Sequence, residues 1–254
     1  MTTSIIREIN SRRYHILGIL IILSGWQVLA WASHPLIVAS PGSTFRSIFA
    51  MLASGELTRN LLITLQRQLT GLAFGVLIGT FLGIFGGLKK PLDSMMMPGV
   101  NAVMATPSII FVVIAMVWFG QGSTQVIFVT ALLIMPIMYL NSAKGIQSID
   151  SNLLQMVRVY RVPARVKLLK VYLPGLLYGF MAGFSLSVAS SLRITIMAEL
   201  LGAQDGIGNA IFIARGYLET SKLFAWALLL VLMVMIIEAI VFNPLQRFIG
   251  KWQE

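Results

Sequence analysis

Residues 142–174 read SAKGIQSIDSNLLQMVRVYRVPARVKLLKVYLP. Leu153, Leu154, Val157 and Tyr160 recur there at helical spacing, which predicts a short amphipathic helix. Arg161-Val162-Pro163 interrupts it, because proline cannot continue a helix and biases the residue before it toward extended backbone. Ala164–Lys170 predicts a second short helix leading to Leu173-Pro174. Two short helices joined by a turn form a rigid knob that can pass force to a partner. The alternative is a solvated basic loop held by anionic lipid.

The rest of the chain explains where such a knob stands. Of 254 residues 57% are hydrophobic and 11% charged, and the mean hydropathy is +0.85. A soluble domain carries about a quarter charged residues to solvate its surface, so most of this surface faces something other than water. At roughly 20 apolar residues per bilayer crossing, the chain holds about five to seven spans and no separate soluble domain. The absence of cysteine excludes disulfides and thiolate metal sites. The net charge of +10 fits basic loops on the cytoplasmic face of a membrane better than nucleic-acid binding. Arg7, Arg12 and Arg13 precede an apolar run too long for a signal peptide and without a close small-x-small cleavage site, so it reads as a retained first span.

The expectation is therefore an all-α integral membrane protein, one domain over 1–254. Its six spans lie at about 16–32, 61–88, 94–119, 124–140, 171–197 and 223–242, with the loop 142–172 between the fourth and fifth. Phe45, Ile48, Phe49 and Leu52 predict a short amphipathic helix on the membrane surface. Pro98 and Pro107 predict a break or kink in the third span. Asn243-Pro244 is expected to close the sixth, and Gly206 and Gly208 to mark a loop before a short helix. Thirteen of the 19 Lys and Arg fall on the face shared by both termini, Lys89-Lys90 and the 142–172 loop. The positive-inside rule places that face in the cytoplasm.

Two spans carry small residues at every fourth position: Gly71, Gly75, Gly79, Gly83 and Gly87 in the second, and Gly175, Gly179, Gly183, Ser187 and Ser191 in the fifth. Such spacing lets helix backbones approach closely in lipid. It fits ordinary bundle packing better than a moving bundle or a dimer seam. Arg67, Arg193 and Glu199 are the candidate pathway residues, since ionisable groups inside spans point to function. Glu199 lies about 240° round the helix from Arg193, so the two do not pair along it. Arg193 either faces a pathway and attracts an anion or snorkels to the interface, and the same alternatives hold for Arg67. Glu238 reads as a local cap or pair near the cytoplasmic face. Met95-Met96-Met97 and the 14 Met fit gap-filling better than a metal relay, with only two His present. No phosphate loop and no catalytic constellation is present, so a pump built on this chain draws energy from a partner or an ion gradient.

The 142–174 stretch resembles the loop signature of binding-protein-dependent ABC importer permeases, E-A-A-x3-G-x9-I-x-L-P. Gln155-Met156-Val157 stand at the E-A-A positions, Arg161 at the glycine, Val171 at the isoleucine and Leu173-Pro174 at L-P. TLQRQLTG around Arg67, the run Val117–Gly122, the run Met197–Gly208 and Pro244-Leu245-Gln246-Arg247 are similar to the nitrate, sulfonate and taurine branch. The resemblance covers about residues 35–250. It implies a type I (MetI-like) importer fold, a second permease copy, a cytoplasmic ATPase dimer that binds ATP and Mg, and an extracytoplasmic solute-binding protein. This chain would hold no cofactor of its own and sit in a prokaryotic inner membrane, and the solute would be a small anion or zwitterion. The loop would dock in the ATPase through Gln155, Met156, Val157, Arg158, Tyr160, Arg161, Leu173 and Pro174. An arginine adopts φ > 0 only at a cost, so Arg161 predicts a turn of altered geometry. The rival class is an autonomous secondary transporter or channel.

Overall fold

A computed structural model describes the backbone of residues 2–250, and side chains from Tyr14 onward apart from His15, Ile16, Glu238 and residues 241–250. The N-terminal arginines, Glu238 and the 244–247 segment singled out above lie outside the described side chains.

Every regular element described is helical. Their order is α1 (Thr2–Ala32), α2 (Pro41–Ala53), α3 (Glu56–Leu88), α4 (Lys90–Ala105), α5 (Ser108–Phe119), α6 (Ser123–Gln147), α7 (Ser151–Val159), α8 (Ala164–Lys167), a π-helical turn Leu168–Tyr172, α9 (Leu173–Gly202), α10 (Ile207–Gly216) and α11 (Thr220–Gly250). Among the described residues, four helices are long and apolar enough to cross a membrane: Glu56–Leu88, Ser123–Gln147, Ala164–Gly202 and Thr220–Ile237. The pair α4 and α5, bent by 98°, makes a fifth span if counted as one, and Leu17–Ala32 is a shorter apolar helix. An all-helical chain satisfies its backbone polar groups internally, which lipid demands.

The break expected in the third span is present, at Pro107 between α4 and α5, while Pro98 sits inside α4. Two boundaries differ from expectation. Ala164–Lys170 is not a separate helix: α8, the π-turn and α9 run on as one helical path, and the π-turn stands directly before Leu173-Pro174, the local adjustment by which a helix accommodates a proline. Asn243-Pro244 does not close the last helix, which continues to Gly250.

The chain divides into two compact units. One comprises the chain up to Thr58 together with Ile211–Leu229. Within it, Trp26 donates its indole N–H to the Ala39 carbonyl at 2.8 Å and stacks on Phe224. Ser40 caps α2 by accepting from the Ser43 N–H. Phe45, Phe49 and Leu52 of α2 are exposed while Thr44 and Met51 are buried, so the apolar stripe read from the sequence points outward, as a membrane-surface helix requires.

The other unit, Arg59–Ala210 with Leu230 onward, is organised around α6. The glycines of α3 pack on one side of this helix. A Cβ on Gly75 would stand 2.7 Å from the Ile134 Cβ, and one on Gly83 2.8 Å from the Ser142 Cβ. Gly71 meets Thr130 and Gly79 meets Met135 and Met138 in the same way. The glycines of α9 pack on α6 as well: Gly179 abuts the Asn141 carbonyl and the Gly145 backbone, and Gly183 the Asn141 side chain. The glycines of both stripes therefore make packing seams on α6 within the chain. Buried Leu72, Val76, Ile134, Met138 and Val188 fill one apolar cluster along these seams. Hydrogen bonds from Gln68 to Ser191 (3.0 Å) and between Thr130 and Thr195 (3.1 Å) tie the helices laterally.

Candidate functional site

Three features of the α6-centred unit carry chemistry. The first is a buried ionic network where α9 ends. Asn60, Thr64 and Arg67 lie on one face of α3 at spacings of four and three. The Arg67 Nη1 donates to Glu199 Oε1 at 3.0 Å and to the Asp205 carbonyl at 2.9 Å. Its Nη2 pairs with the Asp205 carboxylate, and Nε donates to Ser123 Oγ at 2.9 Å. Glu199 also accepts from the Thr64 hydroxyl at 2.8 Å and from the Gly208 N–H at 3.0 Å. Thr64 Oγ1 accepts from the Ile207 N–H, and Asn60 Oδ1 from the Gly206 N–H. Gly206, at φ +92°, turns the chain directly over the Glu199 carboxylate.

This network places two of the three pathway candidates. Arg67 and Glu199 are closed against each other and joined by Asp205; Arg67 is buried and does not snorkel to an interface. A permanently charged guanidinium withdrawn from water demands such compensation. Asn60, Thr64, Ser123 and Asp205 are members that sequence reading missed. For Asn60 and Thr64 the signal was a polar face shared with Arg67; Ser123 and Asp205 carried none.

Arg193 behaves differently. Its side chain is exposed and lines two clefts of about 410 Å³ each. One, against α4, α5 and α6, also presents the hydroxyls of Thr106, Ser108 and Ser190. The other, against α11, is apolar apart from Arg193 itself. Neither cleft is lined by Arg67 or Glu199.

The third feature is the knob between α6 and α9. Asp150 caps α7 by accepting from the Asn152 N–H. At its other end, the Val162 N–H donates to the Val157 carbonyl and the Arg161 N–H to the Arg158 carbonyl, with Arg161 at φ +47°. That is a Schellman turn, the geometry a glycine favours. The altered turn expected from Arg161 is not observed: the arginine adopts the left-handed conformation, and Pro163 follows. Gln155, Met156, Arg158, Val159, Tyr160 and Arg161 are exposed, whereas Val157 is turned in and buried. Leu173 is exposed and Pro174 half-buried. Gly145 and Gly179 touch at the root of the knob, which fixes its two stems to each other.

The model of the family described as binding-protein-dependent transport system inner membrane component matches residues 75–252. The chain belongs to this family. It is an ABC transporter permease, a transmembrane transport subunit, and the all-α membrane fold is that of a type I permease. The permease is 26% identical, over 92% of its length and 85% of the relative's, to SsuC of Bacillus subtilis (strain 168), named as an aliphatic sulfonates transport permease protein. It is 29% identical, over 78% of its length and 76% of the relative's, to the SsuC protein of Escherichia coli (strain K12). ProW of Salmonella typhimurium (strain LT2), a glycine betaine/proline betaine transport system permease protein, is 27% identical over 79% of this chain and 54% of its own. In fold, the permease matches a chain of the inward-facing MetNI methionine ABC transporter with a TM-score of 0.62 at 20% identity, covering 75% of this chain and 95% of that one.

Proposed function

We propose that this permease forms, with a second copy of itself, the translocation pathway of an importer for a small organic anion of the alkanesulfonate kind. An extracytoplasmic binding protein delivers the solute, and a separate ATPase dimer, which binds ATP and Mg, drives transport by pressing on the 148–172 knob. Both termini and the knob lie in the cytoplasm of a prokaryotic cell, where the positive-inside count puts them. Lipid surrounds the outward apolar faces, and nucleic acid has no part.

The observation that carries this reading is the form of the knob. Hydrophobic Met156, Val159 and Tyr160 stand exposed beside Arg158 and Arg161 on a capped helix ended by a Schellman turn. Apolar groups held out on a rigid projection fit a protein socket, whereas a lipid-anchored loop needs only charge. Arg193, exposed within a membrane-spanning helix, supports an anionic solute.

The test is reconstitution. The permease co-expressed with the ATPase and binding protein of its own system is purified and placed in proteoliposomes. A stable complex with ATP-dependent uptake of butanesulfonate is expected. Uptake by the permease alone, without ATP and without a retained ATPase, would make it a secondary transporter or channel.

A further inference from the structure

The hydroxyl-bearing cleft beside Arg193 has a composition more specific than a general anion path, and the argument from it rests on the importer reading above. Its polar groups are the Arg193 guanidinium and the hydroxyls of Thr106, Ser108 and Ser190. The Thr106 hydroxyl is engaged by the Ala102 carbonyl at 2.7 Å, a helix acceptor it holds firmly. The Ser108 hydroxyl instead points at the Met197 sulfur at 3.3 Å. A thioether is a weak acceptor, so that hydroxyl turns to an anion at little cost. The rest of the lining is apolar, with Met104, Leu133 and Ile194 among its side chains. Among the described residues lining the cleft, none is acidic and none aromatic. A bound ammonium or quaternary ammonium group calls for one or the other.

We propose that Arg193, Ser108 and Ser190 form a head-group subsite for a small organic monoanion, whose alkyl tail lies on Met104, Leu133 and Ile194, and that this subsite disfavours zwitterions. The volume of about 410 Å³ suits an anion with a short tail. A bare inorganic oxyanion leaves the apolar wall unused, and a zwitterion places its cation beside Arg193 or against bare hydrocarbon. The opposite cleft, which Arg193 also lines, offers no hydroxyl to the head group.

The chain contains no cysteine, so Ser108→Cys and Ser190→Cys each introduce a single thiol. In vesicles holding the permease with its ATPase, each thiol is reacted with 2-sulfonatoethyl methanethiosulfonate, itself a short alkanesulfonate. The same is done with the 2-(trimethylammonio)ethyl reagent, and rates are normalised to a free thiol in solution. Both positions are expected to favour the anionic reagent by at least about ten-fold, since opposite charges a few ångströms apart in a low-dielectric cleft differ by that much. Arg193→Gln should abolish the preference, and butanesulfonate should slow the anionic reagent while taurine does not. Equal rates for the two reagents, a preference that survives Arg193→Gln, or protection by taurine as strong as by butanesulfonate overturns the proposal. So does a thiol that reacts with neither reagent in a variant that still purifies with the ATPase. Failure of the importer reading shows separately, as loss of ATPase association in the unsubstituted protein.

Discussion

Arg67 and Glu199, 132 positions apart in sequence, form an ion pair of 3.0 Å with side-chain exposures of 4% and 0%. Through Thr64, Asp205 and the N–H of Gly208, the pair fastens the 203–208 turn to α3. Lateral packing alone would leave that turn, rich in backbone polar groups, without partners. The network is thus where the polypeptide crosses from one long helix to the next element without exposing orphan N–H groups.

Removing one partner of a buried pair strands the other charge, at about 3–5 kcal/mol. Glu199→Ala is therefore expected to lower thermal stability in detergent markedly. Glu199→Gln, which keeps a carbonyl acceptor for Thr64 or Gly208, should lower it less. The double variant Arg67→Met, Glu199→Met should be milder than the sum of its single changes, because neither buried charge is left behind and the carboxylate of Asp205, 41% exposed, can turn to water. Melting followed by size-exclusion recovery checks the order, and three indistinguishable curves would remove the structural role of the pair.

The glycine seams make a sharper contrast. A Cβ on Gly179 would strike the Asn141 carbonyl and the Gly145 backbone, neither of which can rotate aside. Gly179→Ala is expected to cost about 1–3 kcal/mol through overpacking. Gly99, inside α4, has nothing within 4 Å of an added Cβ. There, Gly99→Ala should be neutral or stabilise by about 0.5–1 kcal/mol, as alanine does in a helix interior. Chemical or thermal denaturation of the two variants side by side distinguishes a seam glycine from an incidental one.

The helical membrane class, the Pro107 break and the close packing of both glycine stripes were legible in the sequence, because lipid permits few solutions and composition reveals which applies. The partner of the stripes was not legible. Gly75 and Gly179 each announce a close approach but carry no information about the surface approached, and α6 presents no stripe of its own beyond Gly145. Arg67 and Glu199 were legible as unusual charges, but not as partners. Pairing between positions 132 residues apart depends on how α3 and α9 register against each other, which local periodicity does not encode. The separate helix expected over Ala164–Lys170 was not legible for what it is, since a π-turn carries it into the fifth span and leaves no mark in local periodicity.

Arg161 at φ +47° holds a conformation that costs an L-residue about 1–2 kcal/mol. Glycine relieves that strain but loses about 0.5–1 kcal/mol to its greater freedom when unfolded. Arg161→Gly should accordingly stabilise the permease slightly, by at most about 1.5 kcal/mol, and Arg161→Val should destabilise it, since a β-branched residue fits the left-handed region worst. Protection of the 156–162 amides in hydrogen exchange is the direct measurement. A glycine variant that exchanges faster than the parent would contradict the strain argument.

Met156 and Tyr160 stand exposed on the same edge of α7, four residues apart, whereas Val157 between them is buried. If the ATPase docks on this edge, Met156→Asp and Tyr160→Ala remove contact without touching the fold. Both should leave expression and thermal stability near the parent value and reduce uptake several-fold, with ATP hydrolysis no longer responding to loaded binding protein. Val157→Asp instead buries a charge and should destabilise α7 itself, so loss of uptake in that variant alone would report on folding and not on docking. Paired measurements of stability, ATPase stimulation and uptake separate the two causes. Unchanged uptake and stimulation in both Met156→Asp and Tyr160→Ala would reduce the knob to a basic anchor at the membrane face.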